Sequence, residues 1–315
     1  IPKDDAYLFI TQDGYIKRIP PKAYKSEEPM KLKDGDIITN TFFSNTLETM
    51  LMFTNKGNYV YLPVHDIPET KQKDLGYNVS TLVNIEAEEK IIFSVPIKDF
   101  EEDRYVLFTT KNGLIKRTKI SDLKAVRYSR ALKATQIREN DELVSVDINP
   151  ITKDTDEVIV VTQDGFINRY NASEISIMEP PSYGVKAIEL KSRPNDKVVA
   201  GKYINTDDII ALLTIRGSVK RLKPDDILKG RKNNVGKQYI QMLKTKSNNV
   251  IDCEVIRKEN ANLDLDTYIL GTKGYEKVDF VNIRNATAST GKQIQIDAIG
   301  EPVKLIICKN NNDFK

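Results

Sequence analysis

Short apolar runs alternate with polar turns along this chain, and one such grouping recurs six times. In the copy from Asp208 to Leu228, an apolar run from Ile209 to Leu213 reaches Thr214, turns at Arg216-Gly217 and leaves through Val219, Lys220 and Arg221. A short segment from Pro224 to Ile227 follows. The pattern predicts a β-hairpin, because glycine supplies the positive φ that two-residue hairpin turns require. The other copies carry their glycines at Gly14, Gly57, Gly113, Gly165 and Gly274. Three residues before the glycine stands Thr11, Thr54, Thr110, Thr162 or Thr214, with Gly271 in the last copy. Ten residues after it comes a large side chain, Tyr24, Ile67, Leu123, Ile175 or Ile227, and in the sixth copy Ile283 one residue earlier.

Successive glycines lie 43, 56, 52, 52 and 57 residues apart, which divides the chain into units 1–46, 47–103, 104–154, 155–206, 207–260 and 261–315 of one domain. After each hairpin from the second onward comes a polar loop: Lys71 to Ser80, Arg127 to Thr135, Pro180 to Ala187, Gly230 to Tyr239 and Asn285 to Gln293. Four of these hold a glycine, Gly76, Gly184, Gly236 or Gly291, and one has Ala131 instead. A third apolar run ends each unit, such as Leu143 to Ile148 or Val250 to Ile256. Two hairpin strands, a strand beside the loop and this last run give about four strands per unit and little room for helix. Radial repetition lets such units close without long exposed edges. The expected fold is therefore all-β, a six-bladed propeller-like disc. A solenoid would have atypical terminal units, whereas both end units here carry the repeat.

A hydrophobic content of 40% with 30% charged residues suits a soluble globular protein, and no apolar run nears the roughly 18 residues of a membrane helix. No signal peptide is visible, and a chain opening at Ile1 reads as a piece of a longer protein. Cys253, Cys308 and the single histidine, His65, are too few for a zinc cluster. The cysteines read as buried, reduced thiols of a cytoplasmic protein. With no nucleophile motif around it, His65 reads as a surface or packing residue.

The net charge of +3 becomes informative when divided: the six units carry 0, −6, +5, −1, +5 and 0. In the third unit the cations of the hairpin exit and the following loop are Lys116, Arg117, Lys119, Lys124, Arg127, Arg130 and Lys133. In the fifth they are Lys220, Arg221, Lys223, Lys229, Arg231, Lys232 and Lys237. Matching segments elsewhere add Lys17, Arg18, Lys22, Arg169, Lys186, Lys277 and Lys292. Recurrence at one place in a ring would align these groups along one rim, a track for the phosphates of duplex DNA. Cations at blade edges also serve to block edge-to-edge aggregation, and Tyr128, Tyr183 and Tyr239 suit packing between blades as well as base stacking. A rival use of the disc is protein binding, through the acidic run Asp99, Glu101, Glu102 and Asp103 of the second unit.

The repeats YLFITQDGYIKRIPPKAY, VLFTTKNGLIKRTKISDL and VIVVTQDGFINRYNASEI resemble those of the C-terminal β-pinwheel of the A subunit of bacterial type IIA topoisomerases, over essentially the whole chain. That resemblance implies blades that exchange strands and DNA bent around a basic outer edge. In gyrase the first blade carries a Gln-Arg-Arg-Gly-Gly-Lys-Gly box needed for wrapping. The matching stretch here reads Lys25, Ser26, Glu27, Glu28, Pro29, Met30, Lys31, so the box is absent. This departure resembles topoisomerase IV, which decatenates and relaxes DNA. A gyrase domain with a degenerate box is the alternative. The resemblance further implies a nucleoid-associated, non-catalytic module without a cofactor or metal of its own. Its partners would be double-stranded DNA, the remainder of the A subunit, and through that remainder the ATPase B subunit, in an enzyme using ATP and Mg.

Overall fold

Five of the six predicted hairpins are held by the repeated threonine. The Thr11 hydroxyl accepts the Tyr15 amide at 3.1 Å, and Thr54, Thr110, Thr162 and Thr214 do the same for Asn58, Leu114, Phe166 and Ser218. The turn is one residue longer than the two-residue loop the sequence suggests. Gln12, Asp13 and Gly14 separate Thr11 from Tyr15, and Gly14 closes the loop at φ +85°. A three-residue loop of this kind needs its left-handed residue last, which fixes the glycine. At the threonine the register of the first hairpin strand also shifts against its other neighbour, as between Ile10 and Thr11.

The computed structural model describes residues 1–151, 155–258, 265–278, 292–293 and 298–309. The readings at Ile283 and Gly291 lie outside them. Six antiparallel sheets form, five of four strands and the sixth of three among the described residues. The first has an inner strand, Ile38–Asn45, then the hairpin Asp5–Thr11 and Tyr15–Ile19, then a rim strand, Tyr77–Asn78. That rim strand belongs to the second unit. The second sheet likewise receives Leu132–Lys133 from the third unit, the third Val185–Lys186, the fourth Lys237–Gln238 and the fifth Lys292–Gln293. Thus the fourth strand of each complete blade is donated by the next unit. Two loop glycines let this happen. A Cβ on Gly76 would lie 2.6 Å from the Ile16 carbonyl oxygen, and one on Gly236 would lie 2.7 Å from that of Ile167.

Between blades the core is continuous. Met50 and Met52 pack toward Leu8 and Ile10 of the first blade, while Leu51 and Phe53 on the same strand pack toward Val106 and Phe108 of the third. Both faces of a blade are therefore buried, which explains apolar runs without alternation. The same arrangement joins the third blade to the fourth, the fourth to the fifth and the fifth to the sixth. The ring closes where Ile37 meets Leu270, Ile306 and Cys308, with the Thr41 hydroxyl 3.7 Å from the Cys308 sulfur. Inner strands line the axis around a cavity of about 410 Å³. Near it Arg257 reaches Asp147 of the third unit at 3.1 Å, the Tyr203 carbonyl of the fourth at 2.5 Å and Asp208 of its own unit at 3.2 Å, tying the fifth blade to the third and fourth units. Among the described residues helix is confined to Val79–Leu82 and short 3-10 turns, and no described helix is long and apolar enough to cross a membrane.

Candidate nucleic-acid interface

Seven of the predicted contacts are the Lys-Arg or Asn-Arg pairs on the second hairpin strand, three and four residues after the glycine. Their place is the opposite of an open rim. Lys17, Lys116 and Lys220 are almost fully buried. The Lys17 ammonium donates to the carbonyls of Lys31 at 2.6 Å and Gln72 at 3.2 Å. Lys116 donates to the Ala134 carbonyl at 2.8 Å and the Ser182 hydroxyl at 3.1 Å, and Lys220 donates to the Tyr239 carbonyl. Asn168 takes the equivalent place in the fourth unit and donates to the Arg231 carbonyl at 2.8 Å. Burial pushes the ammonium groups of Lys17 and Lys116 down to about 8.

The arginines that follow grip the next unit. Arg117 is buried, and its guanidinium donates twice to the Ile175 carbonyl, at 3.0 and 3.1 Å. Arg169 donates to the Pro224 carbonyl and pairs with Glu157 at 3.1 Å. Arg18 and Arg221 are half-buried, and burial lowers the pKa of Arg221. Cationic side chains at a fixed offset suggest phosphate contacts in the sequence. The offset reflects a structural job instead, since a strand covered on both faces leaves no side solvated, and an ammonium there must find carbonyls.

The remaining predicted residues divide by what already holds them. Lys186 pairs with Glu189 at 2.8 Å, Arg231 with Glu174 at 2.9 Å, Lys229 with Glu157 at 3.9 Å and Lys277 with Asp266 at 3.0 Å. Lys232 is half-buried and donates to the Lys186 carbonyl at 3.2 Å. Lys22, Lys223 and Lys237 are exposed, Lys237 on the rim strand of the fourth blade. Lys119, Lys124, Arg127, Arg130 and Lys133 are all exposed and make no ion pair among the described residues. They lie in one stretch, from the end of the second hairpin strand of the third blade to the rim strand it donates to the second. The lysine position on the rim strands is not uniform. Lys133 and Lys186 oppose Asn58 and Leu114, whereas Lys237 and Lys292 sit one residue out of step, opposite Ile167 and Val219.

Tyr128 and Tyr239 settle into packing, while Tyr183 stays exposed. Tyr128 lies 5.1 Å from Tyr61, the Tyr239 hydroxyl accepts the Leu228 amide at 2.8 Å, and Arg138 stacks on Tyr183 at 4.4 Å. In the first blade, the stretch Lys25 to Lys31 is pinned from the second unit. The buried Gln72 side chain accepts the Lys25 amide at 2.9 Å and donates to the carbonyls of Lys25 at 2.8 Å and Glu28 at 3.2 Å. Exposed Lys25 and Glu28 pair at 3.6 Å.

One recurring device escapes sequence reasoning. Asp36 accepts the amides of Asp13 and Ile37, and Asp141 and Asp196 do likewise in the third and fourth units, so that a carboxylate braces each turn against its inner strand. Their distance from the glycine varies with loop length, so no fixed offset exposes them.

The model of the family described as DNA gyrase C-terminal domain, beta-propeller, matches residues 5–26, 48–98, 104–150, 156–205 and 208–256. The A subunit of DNA topoisomerase 4 from Bacillus subtilis (strain 168) is 34% identical over 253 residues, covering 80% of this chain and 31% of that protein. Its counterpart from Staphylococcus aureus (strain MRSA252) is 32% identical over 313 residues, covering 98% and 38%. The chain thus spans about a third of the length of these relatives. Among solved structures, a C-terminal domain of DNA topoisomerase IV superposes with a TM-score of 0.86 at 30% identity, covering 98% of this chain and 95% of that one. A DNA gyrase A C-terminal domain shares the fold at a TM-score of 0.68 and 20% identity, covering 97% and 99%. Six blades, five of them completed by a strand from the next unit among the described residues, the matched repeats and these relatives agree: the chain belongs to the family of gyrase A C-terminal β-propeller domains, to which topoisomerase IV A subunits contribute the same domain.

Proposed function

We propose that this domain is a non-catalytic module that binds and bends duplex DNA and presents it to the strand-passage core of topoisomerase IV for decatenation and relaxation. The observation that carries this reading is the run of five exposed cations, Lys119, Lys124, Arg127, Arg130 and Lys133, with no ion pair among the described residues. An unpaired surface cation can exchange its counterion atmosphere for a phosphate, whereas one already bonded to a carbonyl cannot. Of the other described rim-strand lysines, Lys237 is also exposed, whereas Lys186 is paired with Glu189. The Lys25 to Lys31 stretch, without net charge, holding two glutamates and pinned by Gln72, offers no phosphate cradle, which favours topoisomerase IV over a wrapping gyrase.

In the whole enzyme the domain would act with both the remainder of the A subunit, to which it is joined, and the ATPase B subunit, on the cytoplasmic nucleoid, with ATP and Mg bound outside this chain. A salt series of duplex binding tests the reading. Changing Lys124, Arg127 and Arg130 to Ala should flatten the slope of log affinity against log salt by up to about 3. Wild-type binding that ignores salt, or is absent at low salt, would sink it and turn attention to a protein partner at Asp99 to Asp103.

A further inference from the structure

The most exposed apolar side chain at the edge of the disc stands in the middle of its unpaired cations. Val126 is 92% exposed, the highest value of any large hydrophobic residue described. Lys124 and Arg127 flank it, and Arg130 follows, all exposed. Its surroundings are rigid. Ala125 before it and Tyr128 after it pack against the core between the second and third blades. The Ser129 carbonyl accepts the Asn84 amide at 3.0 Å, and the Ala131 amide donates to the Asn84 carbonyl at 3.0 Å. The loop is thus fastened on both sides of one projecting, β-branched side chain whose shape is nearly fixed.

A single exposed valine is ordinary on a protein surface. Here, however, the apolar neighbours turn inward and Val126 does not. Cations on both sides would bring a polyanion to it, and bending a duplex is easier when an apolar side chain enters a base step from the minor groove and partly unstacks it. We propose that Val126 is such a wedge, so that bending by the third blade is driven by partial insertion as well as by phosphate contact. This rests on the duplex-binding reading above.

The test uses the full chain and a duplex of about 40 base pairs, labelled at its ends for energy transfer and carrying 2-aminopurine beside one central TA step, the type that unstacks most easily. Wild-type chain should shorten the end-to-end distance and brighten the 2-aminopurine. Val126→Ser should lose the brightening and part of the shortening while keeping the wild-type salt slope, and Val126→Phe should brighten it at least as much as wild type. Equal brightening by Val126→Ser, no brightening by a wild-type chain that binds, or a changed salt slope in Val126→Ser would each overturn the wedge. A wild-type chain that fails to bind duplex at low salt would overturn the duplex reading as well, which separates the two failures.

Discussion

A buried lysine bonded to carbonyls is a hydrogen-bond donor first and a charge second, and Lys116 shows the consequences. Replacing it by Met leaves the Ala134 carbonyl and the Ser182 hydroxyl without their donor and should cost about 1–3 kcal/mol of stability, read by denaturant unfolding. The salt slope of DNA binding should not move. A slope that flattened would return Lys116 to the interface. The lysine also makes stability depend on pH. Burial lowers its pKa from 10.5 to about 8, so between those values the unfolded chain holds a proton that the folded chain has released. Stability then rises with pH across that window. The neutral amine keeps two hydrogens for its two acceptors, so the stability gap between wild type and Lys116→Met should widen from about pH 8 to about pH 10.5. A narrowing gap would mean that the clamp needs its charge. The sequence displays Lys17, Lys116 and Lys220 clearly but not their role, because burial of the strand that carries them depends on neighbours in the adjoining units.

At the scale of the element, legibility follows distance along the chain. The hairpins can be read directly, since Thr11 and Gly14 act on each other across one turn. The rim strands can be read as a strand beside each loop but not placed, because each is two residues long and pairs with a hairpin of the preceding unit. A glycine in the connecting loop marks most of them, while Ala131 precedes Leu132–Lys133. Gly76 holds φ at +83° with the Ile16 carbonyl where a Cβ would go, so Gly76→Ala should destabilise the domain by about 1–3 kcal/mol. Hydrogen exchange locates the damage: protection should fall at Ile16 and Tyr77, which pair, and hold in the fourth blade. Uniform loss across all blades would show instead that the exchanged strand is not a local unit.

For the molecule as a whole, closure depends on polar struts as well as on apolar contacts. Arg257 bridges the buried carboxylates of Asp147 and Asp208, and Arg257→Met would leave both without their ion-pair partner, an expected cost of about 3–5 kcal/mol by thermal or denaturant unfolding. Near-wild-type stability would mean that the carboxylates find water at the axis. Cys308 reports on the seam between last and first blades. Burial raises its thiol to about 11, so in a Cys253→Ser chain an alkylating reagent should label it far more slowly in the native than in the unfolded state. Rapid native labelling would mean a ring that opens readily. The repeat makes a disc of six blades legible from the amino acids alone, yet neither its closure nor the residues that seal it, since Ile37 and Cys308 belong to opposite ends of the chain. Donated rim strands carry one last consequence, for synthesis. As the polypeptide leaves the ribosome, no blade can be finished by the stretch that begins it: the hairpin ending at Ile19 must wait for Tyr77 and Asn78 to emerge. A nascent disc therefore always ends in one unfinished sheet. Its assembly has a direction, and a stalled chain presents a bare edge to whatever chaperone or neighbour meets it first.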